Sequence, residues 1–289
     1  MHTQIMTFYR ACDAYLQHKG FRDDPQARMT TTEVLLTALV GAFFFANNLR
    51  LAQQALAESG IVPQMLSESR FNRRWHKITP DDWQGILTFL AQEHPAATYI
   101  VDSCPFPVCH NRRAYRSRLY QDAGNAYWGY CAAKEEYYYG LKAHVIVTAS
   151  GRPVEVLLLC GCSADLTGLK EMRLPLPVGA QLYADKAYTD YAYEERLQQE
   201  KQLTFLPIRK RIHKRQYAAE VAKRVSQGRK RIETTFSQIT ARLPHRLHAV
   251  RPAGFESKVM AVFVAFAIGC AESERIEKQK LADERRVAS

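Results

Sequence analysis

The chain has 289 residues, 47% hydrophobic and 24% charged. This composition excludes intrinsic disorder and fibrous classes and allows one large domain or two modest ones. Lys and Arg number 40 against 29 Asp and Glu, giving +11 and a sequence pI near 9.3, which favours a polyanionic partner such as nucleic acid or an anionic membrane surface but also suits a merely basic soluble protein.

Residues 1–95 are expected to be helical throughout. The opening MHTQIMTFYRACDAYLQHKG lacks the basic start, apolar stretch and small-residue cleavage site of a secretory signal, so a cytoplasmic protein is expected. Thr30 to Thr32 offer N-caps to EVLLTALVGAFFFA, which is too densely apolar for a surface helix. Its run from Val34 to Ala46, and the run from Val259 to Cys270 near the other end, fall short of the roughly 20 residues that span a bilayer. Both are expected to be buried core helices, with no membrane partner. A second helix, from about Asn48 to Glu58, ends at Gly60, and a third runs through LSESRFNRRWHKI with Ser67 or Ser69 as cap. On that third helix Arg70, Arg73, Arg74 and Lys77 share a face beside Phe71 and Trp75. Such a stripe suits contact with DNA, and equally a solvated amphipathic face. His94-Pro95 marks a boundary, because the residue before proline resists helix.

From Thr98 the period changes to that of strands. TYIVDSC reads as a strand, EYYYGLKAHVIVTASG and RPVEVLLLC as a hairpin, Asp165 to Leu174 as a helix, and AQLYADKAY as another strand. A helix from about Asp190 to Lys201, a strand LTFLPI and a final helix through IETTFSQITARL follow, so the region is expected to be α/β with a mixed sheet. The expected domains are thus a helical part over 1–95, an α/β domain over 96–270 and a charged tail over 271–289. Seven irregularly spaced cysteines suit reduced thiols. Cys104 and Cys109 with His110, or Cys160 and Cys162, could be offered as zinc ligands, but neither set has the paired spacing of a structural site.

Three acids stand where a fold has no obvious need of them. Asp102 interrupts an apolar strand and shares a sheet face with Ile100, and Asp185 follows Leu-Tyr-Ala in a similar way. A carboxylate at the end of a buried strand costs several kcal/mol if unpaired, so something positive is expected between the two, although either alone could be a strand-end turn residue. Glu233 borders the stripe formed by Ile232, Phe236, Ile239 and Leu243, where it can reach the sheet rim or pair with Arg229 in solvent. Three carboxylates at one sheet edge repel unless cations neutralise them, and all-oxygen ligation suits Mg²⁺ or Mn²⁺. Two such ions are the usual device for in-line attack at a phosphodiester.

The flanks suit a polyanionic substrate. From Pro207 to Glu233 there are ten cations (Arg209, Lys210, Arg211, Lys214, Arg215, Lys223, Arg224, Arg229, Lys230 and Arg231) against Glu220 and Glu233. A second cluster carries Arg112, Arg113, Arg116 and Arg118, with Tyr115 and Tyr120 available to stack on unpaired bases. Solvated basic loops are the plainer reading of both.

YIVDSCPFPVC, YYYGLKAHVIVTASGRPVEVLL, LYADKAYTDY, LPIRK and RKRIETTFSQI, in that order, resemble bacterial insertion-sequence transposases of the DDE type, and among them the insertion sequence 982 family. The resemblance covers about Tyr99 to Ile268. It implies a ribonuclease-H-like fold with a mixed sheet flanked by helices, preceded by a helical N-terminal DNA-binding region, with Asp102, Asp185 and Glu233 as the catalytic triad holding two Mg²⁺ ions, for which Mn²⁺ can substitute. It also implies cleavage at the element's terminal inverted repeats, strand transfer into target DNA, and a homodimer or higher assembly on DNA. Related families carry a Tyr, Arg, Glu, Lys pattern around the glutamate. Arg229 and Glu233 fit it, while Ser226 and Thr240 stand where the Tyr and Lys belong, leaving Arg242 and Lys258 as substitutes for the cation. Where the family often has His-Asp, this chain has Ala164-Asp165, and Asp165 reads either as a supporting acid or as a helix N-cap. A metal-dependent nuclease without strand joining and a non-catalytic DNA-binding protein are the alternatives.

Overall fold

In a computed structural model, which describes residues 1–132, 134–243 and 247–287, the chain begins with five helices: α1 (His2–His18), α2 (Thr31–Phe44), α3 (Leu49–Glu58), α4 (Glu68–Trp75) and α5 (Pro80–Glu93). There follow β1 (Thr98–Pro107), β2 (Trp128–Cys131), β3 (Glu136–Thr148), β4 (Pro153–Cys160), α6 (Asp165–Glu171) and β5 (Gln181–Ala184). The chain closes with α7 (Tyr191–Lys201), β6 (Thr204–Pro207), α8 (Ala219–Thr240) and α9 (Pro252–Val287). Two units separate: residues 1–90 with 242–244 and 257–289, and residues 91–241 with 245–256.

The helical unit is organised by its most apolar segments. A capping box starts α2, with the Thr30 side chain accepting from the Glu33 N–H at 3.2 Å and the Thr30 N–H donating to the Glu33 carboxylate at 2.6 Å. Every residue from Val34 to Ala42 is then buried, as expected for a helix without a polar face. The apolar part of α9 is buried in the same way, and this places it with the N-terminal helices, across the boundaries expected at 95 and 270. Residues 271–287, expected as a tail, continue that helix. By length and composition Pro252–Glu284 could cross a membrane, as could α2 with α3 if that pair, bent by 112°, were one span. In α9, 72% of the apolar window is buried inside the protein, the mark of a core helix.

The sheet unit has strand order β2-β3-β1-β5-β6, with β4 also on β3. The β1, β3 and β4 strands run antiparallel, while β5 and β6 run parallel to β1, so the mixed sheet combines a hairpin half with a crossover half. This mixed sheet with flanking helices agrees with a ribonuclease-H-like fold. The expected order of elements recurs with one addition, β2, whose four residues are too few for a period to register. The last helix is also longer than expected, beginning at Ala219. The core lies between the sheet and α6–α7, where Tyr99, Val101, Leu182, Ala184, Leu197 and Phe205 pack together.

Candidate active site

Strand alternation sets Tyr99 and Val101 into that core and leaves Ile100 and Asp102 on the other face. There α8 approaches closely: a Cβ on Gly228 would lie 2.8 Å from Tyr183 Cδ2 and 3.8 Å from Ile100 Cγ1, so glycine permits the contact. Parallel pairing aligns Val101 with Ala184, which brings the next residue of each chain segment, Asp102 and Asp185, side by side. The positive group expected between them is Arg229, one residue after Gly228. Its Nη1 donates to Asp185 Oδ1 at 3.1 Å, its Nη2 lies 3.6 Å from Glu233 Oε1, and its Nε lies 4.0 Å from Asp102 Oδ2. One guanidinium therefore faces all three predicted acids.

Their environments differ. The Asp102 and Asp185 side chains are 17% and 19% exposed, whereas that of Glu233 is 57% exposed. Burial pushes the Asp102 carboxyl up to about 6. The Ser103 N–H, donating at 2.8 Å, and Arg229 oppose this, while Asp165 and Asp185 add to it. Three carboxylates around one positive charge form an oxygen donor set of the kind hard divalent cations take. Among the described residues, no three His, Cys, Asp or Glu side chains are grouped closely enough to hold one ion, the Arg229 guanidinium lying among the triad.

Asp165, weighed as an N-cap, is the first residue of α6, whose N-cap is Ala164. It accepts from Ser103 Oγ at 2.6 Å, which ties it to the residue after Asp102. Lys142 Nζ lies 3.5 Å from the same oxygen and donates to Ser163 O at 2.7 Å. Lys142 is not among the residues expected at the site, although a lysine and His144 within the apolar run GLKAHVIV interrupt it in the way that singles out Asp102.

The predicted DNA-binding cations divide into two groups. Arg209 is a strut, paired with Glu194 through bonds of 2.9 and 2.5 Å between side chains only 4% and 11% exposed, and stacked by Tyr191 and Tyr217. Arg215 pairs with Glu195 at 2.5 Å and covers Tyr191, and Arg231 Nε donates to Ser150 O at 2.6 Å in the β3–β4 turn. Arg74 leaves the stripe of α4 to bind Asp23 at 2.9 Å, Thr31 Oγ1 at 3.0 Å and Met29 O. Of these four, Arg209 and Arg74 are drawn into the fold, whereas Arg215, 53% exposed, and Arg231 stay at the surface with some of their donors engaged. Arg70, Arg73, Lys77, Arg112, Arg113, Arg116, Arg118, Lys210, Arg211, Lys214 and Lys230 are exposed. Tyr115 is exposed as well, but Tyr120 stacks on Tyr127 with centroids 4.0 Å apart and donates to Glu256 at 2.7 Å, so its ring is already engaged. Arg242 lies over Phe43 and Phe266, which occupies the first of the two proposed substitute cations within the helical unit.

The family model described as "Transposase DDE domain" matches residues 93–268, well over half of the chain. No curated protein matches it. With the mixed sheet and the acid-bearing edge inside the matched span, the chain belongs to the transposase DDE domain family.

Proposed function

We propose that this transposase, of the insertion sequence 982 type, cleaves DNA at the terminal inverted repeats of its element and joins the freed 3′-hydroxyl to target DNA. The observation that carries the proposal is the single guanidinium of Arg229 faced by Asp102, Asp185 and Glu233 at the edge where β1 and β5 end. DDE transposases use divalent metal ions, and here the three acids would hold two Mg²⁺, or Mn²⁺ in their place. When bound, such ions activate the attacking water or 3′-hydroxyl and stabilise the leaving oxygen.

The chain's own residues do the rest. Asp102 and Asp185 are presented by neighbouring strands, so their spacing is set by sheet hydrogen bonds, and the Ser103 N–H orients Asp102 at Oδ1. Glu233 comes from a helix anchored through Ile232, Thr235 and Ile239, all buried. Arg229 offsets part of the negative charge of the three acids in the free protein. The exposed cations hold the flanking and target strands, and the helical region over 1–95 reads the element ends. A homodimer or higher assembly on DNA brings two ends together, in the cytoplasm and without a membrane.

The test is incubation with supercoiled plasmid in Mg²⁺ or Mn²⁺, with an EDTA control, comparing wild type with Asp102→Asn, Asp185→Asn and Glu233→Gln, and repeated with the flanking repeats supplied. Metal-dependent scission lost in each variant is the expected result, and joined products separate a transposase from a nuclease. Intact cleavage and joining in all three variants would refute the proposal.

A further inference from the structure

The β2–β3 hairpin carries rings that the carboxylate site does not use. Gly129 lets the hairpin descend onto the turn after β4, since a Cβ there would lie 2.4 Å from Gly161 O. Tyr138 Oη donates to the same carbonyl at 3.3 Å. On this floor Tyr130 and Tyr137 pair across the strands with centroids 5.1 Å apart. They are 51% and 65% exposed, an unusual place for two adjoining rings.

With Trp128 these rings line a cavity of about 440 Å³, the size of a small-molecule pocket, whose further walls include Lys142, Asp165 and Ala187. Two of those walls adjoin the acid edge. Asp165 is bonded to Ser103, next to Asp102, and Ala187 follows Asp185 by two residues. A basic element packs on the same hairpin: Asn111, at the head of the short 3-10 helix Asn111–Arg116, donates to Tyr137 O at 2.5 Å, which sets the helix that carries Arg112, Arg113 and Arg116 against β3.

Exposed rings beside cations are the parts from which single-stranded nucleic acid sites are made, the rings stacking on bases and the cations holding phosphates. Lys142 and Asp165 add polar groups for the edge of a base. We propose that this cavity holds one unpaired nucleobase of the DNA strand being processed, stacked on Tyr130 and Tyr137, with its flanking phosphates on Arg112, Arg113 and Arg116. The placement of a processed strand rests on the transposase reading above, whereas the base site itself can be measured without catalysis.

Of the three tryptophans, Trp75 and Trp83 are 2% and 0% exposed, so Trp128 is the one whose emission a base can quench. The full chain is titrated in EDTA with a short thymidine oligonucleotide and with an abasic one of equal length, reading tryptophan emission and the anisotropy of an end label. Wild type is expected to favour the thymidine probe by about 5- to 150-fold, with quenching that Trp128→Phe removes. The double change Tyr130→Ala with Tyr137→Ala is expected to abolish the preference while leaving the abasic affinity unchanged. Tyr130→Phe with Tyr137→Phe keeps the rings and is expected to keep the preference. Equal binding of both probes by wild type, or a preference that survives the double alanine change, overturns the proposal. Plasmid nicking in Mn²⁺ by the same preparations separates the two readings. Nicking without a thymidine preference removes the base site and leaves the function, and a preference without nicking of a plasmid that carries the flanking repeats leaves the base site and removes the catalytic reading.

Discussion

His144 on β3 is 0% exposed, neither ring nitrogen has a hydrogen-bond partner, and α6 presses on it so closely that a Cβ at Gly168 would lie 2.2 Å from Nδ1. Burial holds its pKa down to about 4 from the ordinary 6.5, Asp165 opposing and Lys142 reinforcing the effect. The fold therefore keeps the ring neutral, while the unfolded chain takes up a proton near pH 6.5. Because the folded pKa is the lower one, stability is intact above pH 6.5 and is lost as pH falls through about 4. The whole interval corresponds to about 3 kcal/mol, of which about 2 kcal/mol is gone by pH 5. His144→Leu removes both the titration and two unpaired buried polar atoms, each a cost to the fold. The variant is expected to exceed wild type by about 1 kcal/mol at pH 7.5 and by about 3 kcal/mol at pH 5. Urea unfolding followed by circular dichroism at the two pH values reads both figures, with an unchanged denaturant slope as the control. Parallel pH dependence in the two proteins would refute the reasoning.

Other perturbations follow from the same geometry. Removing one member of the buried Arg209–Glu194 pair, as in Arg209→Met, is expected to cost about 3–5 kcal/mol in urea unfolding, and Glu194→Met in the same chain to recover most of it. Arg74→Ala is expected to lower stability by about 1–3 kcal/mol, because Met29 O loses the guanidinium donor and Asp23 is left with the donors of Thr31 alone, whereas the exposed Arg73→Ala stays within about 0.5 kcal/mol. Arg229→Gln removes the charge that the three acids face, so Mn²⁺ binding read by electron paramagnetic resonance of the free ion is expected to tighten about fivefold or more. Weaker binding would mean that Arg229 supports the site instead of competing for it. Replacing Arg112, Arg113 and Arg116 together by Ala is expected to reduce the slope of log affinity for duplex DNA against log salt by roughly 0.9 for each phosphate that is no longer neutralised. An unchanged slope would place the DNA elsewhere.

Much of the fold was legible before any tertiary structure. The density of apolar residues in α2 and in the run from Val259 to Cys270 announced buried helices, and the change from a helical to a two-residue period near Thr98 announced the sheet. Asp102, Asp185 and Glu233 could be singled out because each breaks or borders an apolar pattern. The β2 strand escaped notice, since WGYC is too short for alternation to emerge and its place depends on pairing with β3. Lys142 was passed over because a long side chain in a strand can still reach water, whereas here it is turned onto Ser163 O and Asp165.

The sequence by itself determined the kind and order of the elements and the residue types available for chemistry. Periodicity reports which face of a segment is buried, and that is a local property. It does not report what the face is buried against. The parallel pairing of β1 with β5 that sets Asp102 beside Asp185, the approach of Gly228 that delivers Arg229 to three carboxylates, and the grouping of most of α9 with the N-terminal helices all join residues far apart in the chain. The same holds for the cations. Arg73 and Arg74 are indistinguishable in a charge count, yet one is solvated and the other holds Asp23, because an ion pair depends on where the chain brings its partner and only the tertiary structure decides that.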